Sequence, residues 1–263
     1  MTAYFSLVRV RFLSLLQYRS AAVAGLGTQL FWGLIRTMIF GAFYASSHSK
    51  QPLALPQLIT YIWLGQALLG MLPWNTDPEL KEKLRSGSVV YDMLRPLDVY
   101  WHWYCRALAL RTAPTVLKSV PLCLIAGAFF GMQAPASLSA ASGWVGLTIL
   151  ALALNCAFSN LISISMLWTI SGEGISRLAP TFVYALSGMM MPLQFFPAWM
   201  QPALNALPFR GMVDIPFRVY VGTITFDSIG PYALQTAVWT VLLIAAGRLA
   251  LARGLKRIVT QGG

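Results

Sequence analysis

Residues 77–106 read DPELKEKLRSGSVVYDMLRPLDVYWHWYCR, the most densely charged window in a chain of 263 residues. Asp77, Glu79, Glu82, Asp92 and Asp98 supply five of the protein's eight acidic residues, and Lys81, Lys83, Arg85, Arg95 and Arg106 five of its nineteen lysines and arginines. Outward from this window the chain turns apolar in both directions. Hydrophobic residues make up 57%, charged residues only 10%, and the mean hydropathy is +0.64. A soluble domain carries about a quarter charged residues, so this composition excludes one and points to a membrane protein. Apolar runs at 21–45, 57–75, 104–131, 143–170, 176–196 and 231–252 are each long enough to cross a hydrocarbon core of roughly 30 Å as a helix. The expected fold is an all-α integral membrane protein with six transmembrane helices in a single domain, residues 1–263.

Within the opening window, Asp77 suits an N-cap and Pro78 the first helical position, where its missing N–H costs nothing. Glu79 and Glu82 favour the positive end of a helix, Arg85 the negative end, and Gly87 can end it in the left-handed conformation. The pattern predicts a short helix over 78–86, too polar to enter the bilayer. Tyr100, Trp101, Trp103 and Tyr104 then crowd the start of the third span, a place where aromatic rings anchor a helix at headgroup level. Two readings stand side by side here, a solvated connection between spans and a docking surface for a partner.

Residues 4–19 predict an interfacial helix with Tyr4, Phe5, Val8, Phe12, Leu15 and Leu16 on one stripe and Arg11, Ser14 and Gln17 opposite. Its scattered basic residues and the span-length run behind it favour an uncleaved anchor over a signal peptide. With the N-terminus cytoplasmic, that side holds Arg9, Arg11, Arg19, Lys81, Lys83, Arg85, Arg95, Arg106, Arg177, Arg248, Arg253, Lys256 and Arg257. The other side holds Lys50, Arg210 and Arg218. The bias sets both termini and the 77–106 window inside. The SGEG linker between the fourth and fifth spans is short, whereas residues 197–221 predict re-entrant helices on the external face, because their apolar side chains need burial. Pro192, Phe195, Phe196, Pro197, Trp199, Pro208 and Phe209 mark an external lid.

Arg36, Arg111 and Lys118 sit inside apparent spans, where a cation costs on the order of 3 kcal/mol on the insertion scale. Arg36 and Lys118 are candidates to line a path for an acidic or phosphate-bearing substrate, and the alternative is snorkelling or bonding across a helix interface. Arg111 is expected near the cytoplasmic boundary. Asn155, Ser159, Asn160, Ser163 and Ser165 form a polar seam, with helix–helix bonding favoured over substrate contact. Met189, Met190 and Met191 suit a permissive pathway or simple filler. The charge of +11 fits cytoplasmic flanks rather than nucleic acid. Cys105, Cys123 and Cys156 have no metal spacing, and the only histidines, His48 and His102, lie near no carboxylate or cysteine cluster, so neither a metal site nor a catalytic residue is expected.

Six spans, the N-terminal helix, the charged helix after span two and the re-entrant segment together resemble the permease subunits of type-2 ABC exporters over nearly the whole chain. KLRSGSVVYDMLRPLD followed by Trp101 and Trp103, and SGMMMPLQFFPAWMQPALNALPF, are similar to the bacterial daunorubicin-resistance-like ABC-2 permeases. The resemblance implies that Asp77, Pro78, Glu79, Leu80, Lys81, Glu82, Lys83, Leu84 and Arg85 form the coupling helix that enters a cleft on a separate ATPase. No GxxxxGK[ST] phosphate loop occurs in this chain. ATP and Mg would therefore be bound by a P-loop ATPase partner, two copies per complex, and a second permease, identical or related, would complete the pathway. The function so implied is ATP-driven export of a hydrophobic or amphipathic molecule across a bacterial inner membrane. The alternatives are an ATPase-independent secondary transporter and a membrane assembly protein, although no acidic residue lies inside a span to relay protons.

Overall fold

Length and hydropathy divide the helices of this protein into two sets. The computed structural model describes residues 2–17, 19–47, 49–168 and 173–256. His48, the end of the fourth expected span at 169–170, Ser171 and Gly172 of the SGEG linker, and Arg257 lie outside the described residues. In chain order the helices are α1 (Thr2–Leu16), α2 (Arg19–Ser46), α3 (Leu55–Leu68), α4 (Pro78–Arg85), α5 (Val90–Met93), α6 (Val99–Phe129), α7 (Leu138–Ser165), α8 (Glu173–Leu186), α9 (Gln201–Ala206), α10 (Asp214–Tyr220) and α11 (Ile229–Leu255), with short 3-10 turns between some of them and no strand among the described residues. Among the described residues, four segments are long and apolar enough to cross a membrane: Val23–Ser46, Val99–Phe129, Leu138–Trp168 and Phe226–Leu255.

The stretches expected as the second and fifth spans hold helices of only 14 residues, α3 and α8. At 1.5 Å per residue each is about 21 Å long, short of a core of roughly 30 Å. α3 passes at Leu68 into the 3-10 turn Leu69–Met71, and Pro73 follows. α8 stops at Leu186 because Gly188 adopts a φ of 93°, a left-handed conformation that ends helices. Gly188 is also packed so that the Tyr61 hydroxyl and the Asp214 side chain occupy the place a Cβ would need. Met189, Met190 and Met191, expected inside the fifth span, consequently lie in bent chain beyond the helix.

α3 is buried around most of its circumference, as a helix apolar on every side should be. Against its Tyr61 and Leu64 pack Leu154, Val183, Met189 and Phe217, the last meeting Tyr61 edge-on at 5.1 Å. Phe217 belongs to α10, which inserts Ile215, Phe217 and Val219 between the longer helices with almost no exposure. The apolar residues of this irregular region thus find the burial that their composition demands. Within a bilayer, close packing rather than release of water rewards such an insertion.

α6, with 31 residues and about 46 Å in length, sets the long axis. Near its start Arg106 reaches Asp77 at the head of α4. Past its far end the Gln133 carbonyl accepts from the Tyr220 hydroxyl at 3.2 Å, and the Ala136 N–H donates to the Tyr220 carbonyl at 3.0 Å. α4 and α10 therefore occupy opposite ends of the bundle.

Two sequence expectations about side-chain placement are corrected. α1 packs along α6, and Arg11 is on its packed face, while Phe5 is 71% exposed. At about 100° per residue Arg11 falls between Leu7 and Leu15, which places it with the apolar stripe rather than opposite it. Tyr100 and Trp103, expected as headgroup anchors, are 2% and 1% exposed. α6 starts at Val99, so its first turn turns these rings inward onto Leu80, Ile164 and Leu251.

Candidate functional site

The charged window folds as a mounted helix. Asp77 caps α4, its Oδ1 accepting from Glu79 N at 3.0 Å and Leu80 N at 3.4 Å. Its Oδ2 accepts from Arg106 Nε at 2.7 Å, and Arg106 Nη2 donates to Glu79 Oε2 at 2.7 Å. From α1, Arg11 Nη1 donates to Glu79 Oε1 at 2.6 Å and Nη2 lies 3.7 Å from Asp77 Oδ1. Two arginines from different helices thus straddle the head of α4, where the helix dipole already favours carboxylates.

At the other end Gly87, with a φ of 72°, reverses the chain so that Val89 N reaches back to the Lys83 carbonyl at 3.1 Å. Lys83 Nζ donates to Asp92 Oδ1 at 2.7 Å, and Trp103 Nε1 to Oδ2 at 3.4 Å. Leu80 and Val89 are buried beside Tyr100 and Trp103. The hydrogen bond from Arg106 holds the Glu79 carboxyl below its ordinary value of 4.5, against partial desolvation and with help from Arg11. For Asp92, burial opposes ionisation, yet the hydrogen bond and charge of Lys83 and the indole N–H of Trp103 keep the carboxyl below its ordinary 3.8.

Of the nine residues assigned to coupling, Asp77, Leu80 and Lys83 serve to hold the helix, and Pro78, Glu79, Glu82 and Arg85 are exposed, with Lys81 and Leu84 half-buried. Beside this face α5 and its C-cap present Tyr91, Met93 and Leu94, also exposed. Arg11 and Arg106 escaped the sequence reading as parts of the mount. Their positions on separate helices could be paired with Glu79 only in three dimensions.

A cavity of about 600 Å³ lies between α2, α3, α8 and the bent chain after α8. Trp32, Arg36, Gln66, Trp74, Tyr184 and Met190 are among its lining residues. Arg36 Nη1 donates to the Met189 carbonyl at 2.9 Å, and the guanidinium stands 5.4 Å from the centre of the Tyr184 ring. Tyr184 leans in turn on Trp74 at 5.0 Å. Of the proposed pathway residues the structure brings Arg36 and Met190 together here. The Met189 side chain turns instead into the core beside Tyr61 and Phe217.

Lys118, Asn155 and Ser159 do not line this cavity. Lys118 lies against α2 at Gly25, where its ammonium fills the space a side chain would take. Asn155 Nδ2 donates to the Ala151 carbonyl and Ser159 Oγ to the Asn155 carbonyl, both within α7. Between α6 and α7 the crossing bonds include Arg111 Nε to Ser159 Oγ at 2.8 Å, the Tyr104 hydroxyl to the Ala153 carbonyl at 2.8 Å and Asn160 Nδ2 to the Tyr100 carbonyl at 3.3 Å. Arg111 also donates to the carbonyls of Leu72 and Asn75, so it secures the chain that leads into α4.

At the opposite end, Phe195 packs on Phe40 at 6.2 Å and Phe209 on Phe158 at 5.8 Å. Pro192, Pro197 and Pro208 each begin a 3-10 turn or immediately precede one, while Trp199 stays 78% exposed. Phe196 borders a polar cavity of about 510 Å³ with Arg210 and Arg218. Asp214 lies buried below it, accepting from the Tyr61 hydroxyl at 3.0 Å and from Leu193 N at 3.2 Å.

Helices long enough to cross a membrane, joined through a polar, firmly mounted helix at one end, define a multi-pass membrane protein. The sequence profile described as ABC-2 family transporter protein matches residues 19–262, and the chain belongs to that family. It is a type-2 ABC permease, the membrane component of an ABC transporter, a kind of subunit that works with an ATPase subunit and generally has no ATPase site of its own. No curated protein and no solved structure matches the chain.

Proposed function

We propose that this permease exports a hydrophobic or amphipathic molecule out of the cytoplasm or the inner leaflet, driven by ATP hydrolysed on a separate P-loop ATPase. The observation that carries the reading is the mounting of α4. A mere connection has no need of Arg11 and Arg106 on its first turn and Asp92 beneath its last. Rigidly held, α4 can pass a push from a partner into α1 and α6, and through Arg111 and the chain at 72–76 into α7. Glu82, Arg85 and the exposed Tyr91, Met93 and Leu94 form the face that meets the ATPase.

Six crossings complete the reading, with α3 and α8 lengthened to span the bilayer by the turns that continue them, both termini on the cytoplasmic side of a bacterial inner membrane, residues 197–221 re-entrant on the external face, and Pro192, Phe195, Phe196, Pro197, Trp199, Pro208 and Phe209 as the external lid. α2 presents Phe31, Trp32, Met38, Ile39 and Phe43 outward. That apolar face suits lipid or a second permease chain, identical or related, with two ATPase copies below. The buried acids Asp77, Asp92 and Asp214 all lie at the ends of the bundle, which leaves an ATPase-independent proton-driven mechanism without a relay among the described residues.

Co-purification tests the docking. Exchanging the two charges, Glu82→Lys with Arg85→Glu, sets like charges against a complementary cleft, a cost of several kcal/mol. Recovery of the ATPase subunit should drop by about tenfold or more, while the permease itself still purifies folded. Unchanged recovery would sink the docking role of α4.

A further inference from the structure

The cavity beside α2 contains two polar groups that the fold leaves unanswered. Arg36 makes one hydrogen bond to protein, from Nη1 to the Met189 carbonyl, and no acidic side chain pairs with it among the described residues. Its Nε and Nη2 have no protein partner there. Gln66, on α3, is 2% exposed and lines the same cavity, and its Oε1 is buried without a hydrogen-bond donor. A buried carboxamide oxygen left bare costs about 1–3 kcal/mol, and an uncompensated cation near lipid costs more. Folding alone gives no reason to keep either.

Apart from Thr28, whose hydroxyl donates to the Ala24 carbonyl, the remaining wall is largely apolar, with Trp32, Phe40, Trp74 and Tyr184 and with Met190 as an adaptable neighbour. Trp32, Ile39 and Met190 line the cavity and are also half or more exposed on the outer surface of α2 and the bend after α8. The cavity is thus open sideways, toward lipid or a second chain, and not only toward the ends of the bundle. A volume of about 600 Å³ is within the range of sites that enclose a drug-sized ligand.

We infer that this cavity binds an amphipathic anion that also carries a hydrogen-bond donor. Its carboxylate or phosphate takes the two free guanidinium donors of Arg36. Its hydroxyl or N–H meets Gln66 Oε1, and its apolar tail lies among Trp32, Phe40 and Trp74. Among the described residues that line the cavity, the only charge is the positive one of Arg36, so an anion is preferred, and the only buried atom without a partner is the acceptor Gln66 Oε1, so a donor is preferred. This deepens the proposed export function by naming the substrate class, and it rests on that reading for the cavity's place in transport.

Binding is measured on the full chain alone, purified in an uncharged detergent, with no ATPase and no ATP. Three probes with the same ten-carbon tail are titrated: N-decanoylglycine, which has a carboxylate and an N–H, decanoate, which has the carboxylate only, and decyltrimethylammonium. N-decanoylglycine should bind tightest, decanoate about tenfold weaker for the loss of one bond of roughly 1.4 kcal/mol, and the cation at background level. Gln66→Leu should bring N-decanoylglycine down to the affinity of decanoate, and Arg36→Gln should remove the preference for anions. Equal binding of the anionic and cationic probes by the unmodified protein overturns the inference without any variant. So does retention of the full ranking in both Arg36→Gln and Gln66→Leu. Because the ATPase is absent, these failures leave the capture experiment on α4 standing, and failure of that capture leaves this binding intact.

Discussion

Between α6 and α7 the Arg111 guanidinium is bonded at each of its three nitrogens, to Ser159 Oγ, the Leu72 carbonyl and the Asn75 carbonyl, with almost no exposure. Between α2 and the bend after α8, the Arg36 guanidinium has one carbonyl and an aromatic face, and beyond them a cavity. Both are single cations in apolar stretches. The first is a brace, since each of its three nitrogens meets a fixed acceptor on another element. The second is held at one corner and presented at the others. A buried charge in a membrane protein is therefore read by counting which of its donors the fold uses, rather than by its presence in a span.

The sharpest break of this comparison is Arg111→Met. Methionine matches the length and gives back the cost of desolvating a cation, yet two carbonyls and a hydroxyl lose their donor, at about 1–3 kcal/mol each. A net loss of about 2–4 kcal/mol is expected, read as a lowered unfolding midpoint in detergent. The chain at 72–76 should loosen with it, seen as faster amide exchange at Asn75 and Thr76. A midpoint like that of the unmodified protein would show that Arg111 braces nothing.

Acid should act more mildly and at the other mount. The Glu79 and Asp92 carboxyls lie below their ordinary values of 4.5 and 3.8 in the folded protein. Groups depressed in this way stabilise the fold fully above those ordinary values, and lose that contribution as the pH falls through the lower folded ones. Protection of the α4 amides should hold from neutrality to about pH 5 and then fall toward about pH 3. Glu79→Gln, half-exposed and screened, should lessen the change only slightly, by an amount typical of surface pairs, about 0–1 kcal/mol. A protection factor that is flat across this interval removes the ion pairs from the account of the mount.

The contrast between the two arginines also marks how far sequence carries. The α4 helix was legible because capping is local: Asp77, Pro78 and Gly87 act within one or two turns of themselves, and the structure has each in the expected role. Family motifs near it were equally local. The partners of α4 were not, since Arg11 and Arg106 reach Glu79 across 68 and 27 positions of sequence. The shortness of α3 and α8 was hidden for a related reason. A run of apolar residues such as SGMMMPLQFF is hydrophobic whether helical or bent, and only the packing of Tyr61 and Asp214 against Gly188 makes the bend necessary. Gln66 carried no signal at all, because an amide in an apolar helix looks the same bonded or bare.

The smallest effect on stability is expected from Arg36→Gln, and its smallness is the point. Glutamine keeps a donor for the Met189 carbonyl, loses one cation–π contact of about 0.5–2 kcal/mol, and recovers the cost of holding a charge near lipid. These terms oppose one another, so the unfolding midpoint in detergent should shift by no more than about 1 kcal/mol. Transport of an amphipathic anion by the complete transporter should nevertheless fall by about tenfold, the change that loss of one charge-assisted bond produces. Capture of the ATPase should be untouched, because Arg36 bonds the Met189 carbonyl and the Tyr184 ring and nothing on α4. Destabilisation on the scale of Arg111→Met, with transport lost only in proportion to folded protein, would make Arg36 a second brace and erase the distinction between the two regions.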